Sequence, residues 1–268
     1  MDSSPMQSSR PLRPMSFGEI LEGAFAVYRD NFQEFLSIAA VLLIPTIIVL
    51  GLIRLIVSGV GGPLAIVVGV LVSILLFAAN ILVSGALAVA IGRRYAGLPS
   101  TVSTAFRSSE GRFMGLLGTT LLYALLCWLM AIVIIGIPFA IYFGVRWALS
   151  APVIMLEGTP GGMPTLRRSA SLVSGHWWRT LGILIVAAII VGIISTVITG
   201  ILGAIIHNAI LDGIIGQLIG VIATPFSASV AVLLYFDYRV RNEGYDMAAL
   251  QGNLASNTGG ATGPALQI

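Results

Sequence analysis

The chain has 268 residues, of which 57% are apolar and 9% charged, and its mean hydropathy is +1.00. Soluble domains carry roughly 25% charged and about 45–50% apolar residues, so neither a water-soluble globule nor a disordered chain fits. All fourteen basic residues are arginine, and a net charge of +3 is too small to indicate a nucleic-acid partner.

Residues 1–15 read as a polar tail. No cleavable signal is expected, because the first long apolar run begins only near Phe35, whereas a signal places its apolar core directly after a short basic region. Ser16 and Glu19 have capping-box spacing. They open a helix with an apolar stripe at Phe17, Ile20, Leu21, Ala24, Phe25, Tyr28 and Phe32, the pattern of an amphipathic helix lying at the membrane interface.

A membrane-spanning helix needs about 20 mostly apolar residues. Six stretches qualify: 35–58, 64–92, 114–135, 138–156, 181–206 and 214–236. The third and fourth, joined only by Gly136 and Ile137, must form an antiparallel hairpin. Pro45, Pro152 and Pro225 lie inside spans, where they are expected to kink the helix and free carbonyls. Gly213, Gly216 and Gly220 on the sixth span predict close helix packing. Cys127, the single cysteine, reads as a small buried apolar side chain and rules out a disulfide within the chain.

Orientation follows arginine. Arg10, Arg13 and Arg29 precede the first span; Arg93, Arg94, Arg107 and Arg112 lie between the second and third. Arg167, Arg168 and Arg179 lie between the fourth and fifth, and Arg239 and Arg241 follow the sixth. Twelve of fourteen arginines therefore share one side, and the opposite loops 59–63, 136–137 and 207–213 have none. The expectation is a multi-pass protein of the cell (plasma or inner) membrane with both termini cytoplasmic. A membrane domain over 16–250 would then be flanked by disordered tails, 1–15 and 251–268.

The chain also repeats. Segments 17–36, 98–117 and 163–182 align without gaps, matching Ala24 with Ala105 and Ala170, Phe25 with Phe106, Pro99 with Pro164, and Phe32 with Phe113 and Trp178. Each precedes a pair of spans. The fold class is all-α: six transmembrane helices arranged as three repeats of an interfacial amphipathic helix plus a transmembrane hairpin.

Three signatures then resemble the glycerophosphoryl diester phosphodiesterase membrane-domain family. The opening one is Arg13-Pro14, Ser16 to Leu21, Phe25, Tyr28-Arg29 and Asn31-Phe32. The central one runs from Arg146 through Ala151-Pro152, Leu156-Glu157-Gly158 and Leu166-Arg167-Arg168-Ser169 to Leu172-Val173 and Trp177-Trp178. The closing one is Leu234 to Asp237, Arg239, Arg241 and Glu243-Gly244. In some members of that family the membrane domain precedes a catalytic barrel that cleaves glycerophosphodiesters. Here the chain ends within about thirty residues of the sixth span, so the resemblance is expected to carry no phosphodiesterase activity.

No catalytic constellation accompanies the spans. His176 lies at the cytoplasmic interface beside two tryptophans and His207 in an outer loop with Asn208 and Asp212, so neither has a nucleophile or metal-ligand partner at useful spacing. No catalytic residue, metal or cofactor is expected. Charges inside spans weigh more. Arg54 is near the outer end of its span and reads as an anchor that snorkels. Arg146 falls eight residues into the fourth span, near mid-bilayer, one turn before Ser150, with Asn80 a candidate polar neighbour. It either receives an anionic group or bonds carbonyls freed by Pro152. Arg29, Arg93, Arg94, Arg167, Arg168, Trp177, Trp178 and Glu157 form a candidate interface for lipid headgroups, with Glu157 expected to pair with Arg167, Arg168 or the basic loops.

Two functions fit these features. One is a non-catalytic module of envelope or membrane maintenance that docks anionic phospholipids, a protein partner or a second copy. The alternative is a small-molecule or lipid carrier with Arg146 in a polar membrane cavity. The Pro-x-acid-x-x-base signature of mitochondrial carriers is missing, and a membrane-embedded hydrolase lacks its residues.

Overall fold

A computed structural model describes residues 13–57, 62–132, 136–206, 209–246 and Gly252. Every regular element among them is helical. In chain order these are α1 (Phe17–Asp30), α2 (Phe32–Val57), α3 (Gly62–Tyr95), α4 (Val102–Glu110), α5 (Phe113–Ile132), α6 (Ile137–Trp147), α7 (Ser150–Pro152), a π-helical turn (Val153–Glu157), α8 (Met163–Val173), α9 (Trp177–Ile206) and α10 (Ala209–Glu243). Six helical segments are long and apolar enough to cross a bilayer, and each covers one expected span. The protein is an all-α, multi-pass membrane protein.

The threefold order is visible in these bounds: a short helix (α1, α4, α8) and then a hairpin (α2–α3, α5–α6, α9–α10). The aligned aromatic residues fall at equivalent places, since Phe32 and Phe113 open α2 and α5, and Trp178 is the second residue of α9. The short helices start as their sequences direct. Both halves of the Ser16–Glu19 capping box form, a second box joins Thr101 to Thr104, and Pro164 occupies the first turn of α8, where its missing N–H costs nothing.

The hairpins meet at one end of the molecule. Val83 and Ala86–Ile91 of α3, Val153–Leu156 of the π turn and Val232–Phe236 of α10 are all nearly or wholly buried. Tyr95 stacks on Phe236 at 5.1 Å. Gly85 and Gly92 of α3 leave room for Met155 and Leu156. Away from this core the helices expose large apolar side chains, such as Ile66, Leu71 and Ile74 on α3 and Ile193, Val197 and Ile201 on α9. Surface of that extent and composition belongs against hydrocarbon.

α1 is more than a cover lying on the end of the bundle. Met15, just before it, meets Asp237, Gly23 faces Leu233, and the Tyr28 hydroxyl donates to the Ile222 carbonyl at 3.0 Å. As α1 advances its contacts retreat along α10, so the two helices run antiparallel for about 20 Å. The expected N-terminal tail therefore ends before residue 15, because Met15 is buried and tied to α10. Residues 1–12, 247–251 and 253–268 lie outside the described residues.

Pro45 and Pro225 sit within continuous helices. Pro152 has the larger effect. It cannot bond the carbonyl of Ala148 and its ring crowds that group, so α6 stops at Trp147 and the helix resumes as α7 and the π turn. Ser169 of α8, fully buried, mends the break. Its hydroxyl donates to the Arg146 carbonyl at 2.8 Å and accepts the Leu149 N–H at 3.2 Å, two groups the interruption would otherwise strand. At Gly161 (φ +88°) a Cβ would lie 2.6 Å from the Cα of Gly115, so only glycine lets the loop before α8 lie against α5.

The expected packing of the sixth-span glycines is not seen. Among the described residues nothing lies within 4 Å of a Cβ placed on Gly216 or Gly220.

Candidate functional site: a charged end and an arginine in an aromatic belt

Charged residues from all three units gather at the end where the core lies. Glu157, which ends the π turn, takes Arg168 of α8 at 2.7 and 2.9 Å and Arg239 of α10 at 2.9 Å. The Tyr235 hydroxyl donates to the same carboxylate at 3.1 Å. Glu243 closes the cluster from Arg168 to Arg239, at 2.5 and 2.6 Å, and Arg239 lies over the Tyr245 ring at 3.8 Å. Two acids and two arginines thus cancel in a largely buried cluster, as buried charges must. Hydrogen bonds from Arg168 to Glu157 and Glu243 hold its guanidinium well above the usual arginine range.

A second cluster centres on Asp237, which is wholly buried. It binds Arg179 of α9 at 2.5 Å, Arg241 one turn on at 2.9 Å, and the Met15 N–H at 2.7 Å. Both arginines also donate to the Met15 carbonyl. A third joins Arg94 of α3 to Glu34 of α2, and Arg94 reaches the Ser100 carbonyl at 3.4 Å. Arg112 donates to the Met155 carbonyl at 2.7 Å, in the π turn where such groups are loosely held. Burial lowers its guanidinium below the ordinary value.

The candidate interface residues therefore divide. Arg94, Arg168 and Glu157 are consumed in internal ion pairs and do not form an open surface. Glu157 pairs with Arg168 and Arg239 rather than Arg167. Arg29 makes an exposed pair with Asp30 at 3.2 Å. Arg93 donates to the Pro99 carbonyl at 3.0 Å, and Arg107 and Arg167 are exposed. His176 stacks on Tyr238 at 5.2 Å. Arg54, His207, Asn208 and Asp212 carry side chains outside the described residues.

Arg146, Asn80 and Ser150 do not come together. Asn80 is exposed and bonds its own helix at the Leu76 carbonyl, at 2.9 Å. Ser150 begins α7. Arg146 does not take the carbonyls near Pro152; Arg112, from the link between α4 and α5 of the same unit, bonds the Met155 carbonyl there. The Arg146 guanidinium instead donates to the Tyr142 hydroxyl at 3.0 Å and lies 5.4 Å from that ring. The Arg146 carbonyl is bonded by amphipathic α8, and the Trp177 indole donates to the Tyr142 carbonyl at 3.1 Å. Trp178, 79% exposed, lies 4.7 Å from Trp177. The tryptophan pair opens α9, and Arg146 lies beside these aromatic side chains within the fourth candidate span, Ile137–Glu157. Among the described residues no carboxylate pairs with it, and its other donors have no partner.

Sequence reasoning passed over Glu34, Arg112, Arg179 and Asp237 as site residues. The spacing of four that separates Asp237 from Arg241, Arg239 from Glu243 and Tyr235 from Arg239 was the available signal for the α10 face. Among the described residues no three His, Cys, Asp or Glu side chains converge as a metal site would need. Compared with protein-family models, curated proteins and solved structures, the chain matches none of them.

Proposed function

We propose that this protein is a non-catalytic membrane module that docks phospholipid headgroups, a relative of the glycerophosphoryl diester phosphodiesterase membrane domains working in membrane or envelope maintenance. On this reading it resides in the cell membrane with its charged end and both termini toward the cytoplasm. The observation that carries it is Arg146: a guanidinium among aromatic side chains, with spare donors and, among the described residues, no carboxylate beside it. Seven other arginines hold acids, so the missing counter-charge at Arg146 is well supplied by a lipid phosphate. The exposed Arg107 and Arg167 add longer-range attraction for anionic lipid, about 1 kcal/mol each.

The test reconstitutes the full chain in phosphatidylcholine nanodiscs containing phosphatidylglycerol and counts retained lipid by native mass spectrometry. Arg146→Leu should lower phosphatidylglycerol retention about fivefold or more, and Arg146→Lys should retain part of it. Unchanged retention in Arg146→Leu overturns the reading. The carrier alternative makes a different demand: the same variant would abolish lipid or solute movement across vesicles.

A further inference from the structure

Beside the Asp237 cluster a cavity of about 370 Å³ opens between α1, the end of α3 and α10. Its floor is apolar, formed by Leu233, Ala26 and Met15, with Tyr95 along one side. Its rim is charged, and the three charges differ in how they are used. Both Glu19 oxygens are committed, one to Arg13 at 2.5 Å and the other to the Ser16 N–H at 2.6 Å. Among the described residues Arg13 makes that one contact, which leaves further donors for a ligand. Glu22, three residues on from Glu19, is exposed and has no hydrogen bond or ion pair among the described residues. At an end of the molecule where Glu34, Glu157, Asp237 and Glu243 all hold arginine, this leaves, among the described residues, a carboxylate without a partner and a part-free guanidinium facing one apolar-floored space.

We infer that this cavity binds an aminoethyl phosphate group, with the ammonium on Glu22 and the phosphate on Arg13. A simple anion would meet two carboxylates, and a simple cation would meet Arg13. A zwitterion with its charges a few bonds apart satisfies both, and the two-carbon spacer lies over the apolar floor. Gly23 keeps the floor low, because a Cβ there would lie 2.9 Å from Leu233 and push α1 off α10. Phe25, exposed on α1 one turn on from Glu22, provides apolar surface for an acyl chain. The inference deepens the lipid-docking reading and rests on it for the source of the group, which is the headgroup of phosphatidylethanolamine or free phosphoethanolamine.

The experiment uses the full chain in phosphatidylcholine nanodiscs holding equal small amounts of phosphatidylethanolamine and phosphatidylglycerol, with Glu22→Gln and Arg13→Gln beside the parent. Glu22 has no partner among the described residues, so its variant is expected to fold normally. The parent should retain phosphatidylethanolamine over phosphatidylcholine, and Glu22→Gln should lose that preference about tenfold with phosphatidylglycerol retention unchanged. A second arm titrates free phosphoethanolamine into detergent-solubilised protein by calorimetry. Binding there that Glu22→Gln removes, without lipid enrichment, supports the inference with the soluble source. Phosphatidylethanolamine held equally by parent and Glu22→Gln, together with no phosphoethanolamine binding, overturns it. Persistent phosphatidylglycerol enrichment in that case leaves the Arg146 reading standing, so the two failures are distinguishable.

Discussion

Asp237 and Arg179 are 58 positions apart and 2.5 Å from one another, and their pairing decides where the N-terminal segment lies. The carboxylate takes the Met15 N–H while Arg179 and Arg241 take the Met15 carbonyl. The clamp grips one residue by its backbone N–H and C=O and reads no side chain. It joins the entrance of the first unit to both helices of the third, closing the three units against each other.

Asp237→Asn should therefore destabilise the fold by about 3 kcal/mol, because it leaves two partly buried guanidinium groups without a counter-charge. Thermal unfolding in mild detergent, followed by helical circular dichroism, gives the loss. Limited proteolysis should cut first near Met15 in the variant and elsewhere in the parent. Equal cleavage patterns would show that the clamp does not hold the segment.

Glu157→Gln tests the joint between the second and third units. Glu157 accepts from Arg168, Arg239 and Tyr235 together, and the neutral amide removes the charge that two cations share. The expected cost is about 2–4 kcal/mol. Hydrogen exchange should rise in α8 and in the last turns of α10, with α2 unchanged. Exchange rising uniformly would argue against a local joint.

What could be read from the chain and what could not follow from range. Each apolar run longer than about 20 residues corresponds to one crossing, and Ser16 with Glu19 marked the start of α1 because a capping box is complete within four residues. The contact of Arg94 with Glu34 joins residues 60 apart, and that of Met15 with Asp237 joins residues 222 apart; no local period encodes either. Pro152 announced a break, but the choice of a π turn, and of Ser169 to mend it, depends on α8 arriving from the next unit. Arg146 was legible as an unusual charge. Its surroundings were not, because the Trp177 indole reaches the Tyr142 carbonyl from 35 positions away.

Glu19 makes a prediction in acid. Hydrogen bonds from the Ser16 backbone and then from Arg13 lower its carboxyl to about 2, from an ordinary 4.5. The folded value lies below the unfolded one, so the carboxylate adds stability that is fully present above pH 4.5 and lost as the pH falls toward 2. Carbon-13 carboxyl shifts should find Glu19 still ionised at pH 3.5. Glu19 titrating near its ordinary 4.5 would mean that the capping box is open in solution.

The sidedness of the charged end gives the last prediction. If the three short helices are equivalent parts of equivalent units, residues on α4 and α8 must face the same compartment even though two crossings separate them. Ser103 on α4 and Arg167 on α8 are both exposed, and the native Cys127 is half-buried within a span, so Cys127→Ser provides a quiet background. Ser103→Cys and Arg167→Cys should react with a membrane-impermeant maleimide from the same side of sealed vesicles, at rates within about tenfold of each other. A cysteine at Gly136, in the bend between α5 and α6, would probe the opposite side but place a side chain 1.8 Å from the Met130 carbonyl; Ile137, exposed at the start of α6, is the better site. Labelling of 103 and 167 from opposite sides would require an odd number of crossings between them. That would remove the parallel repeat, and with it the single charged end on which the lipid-docking reading depends.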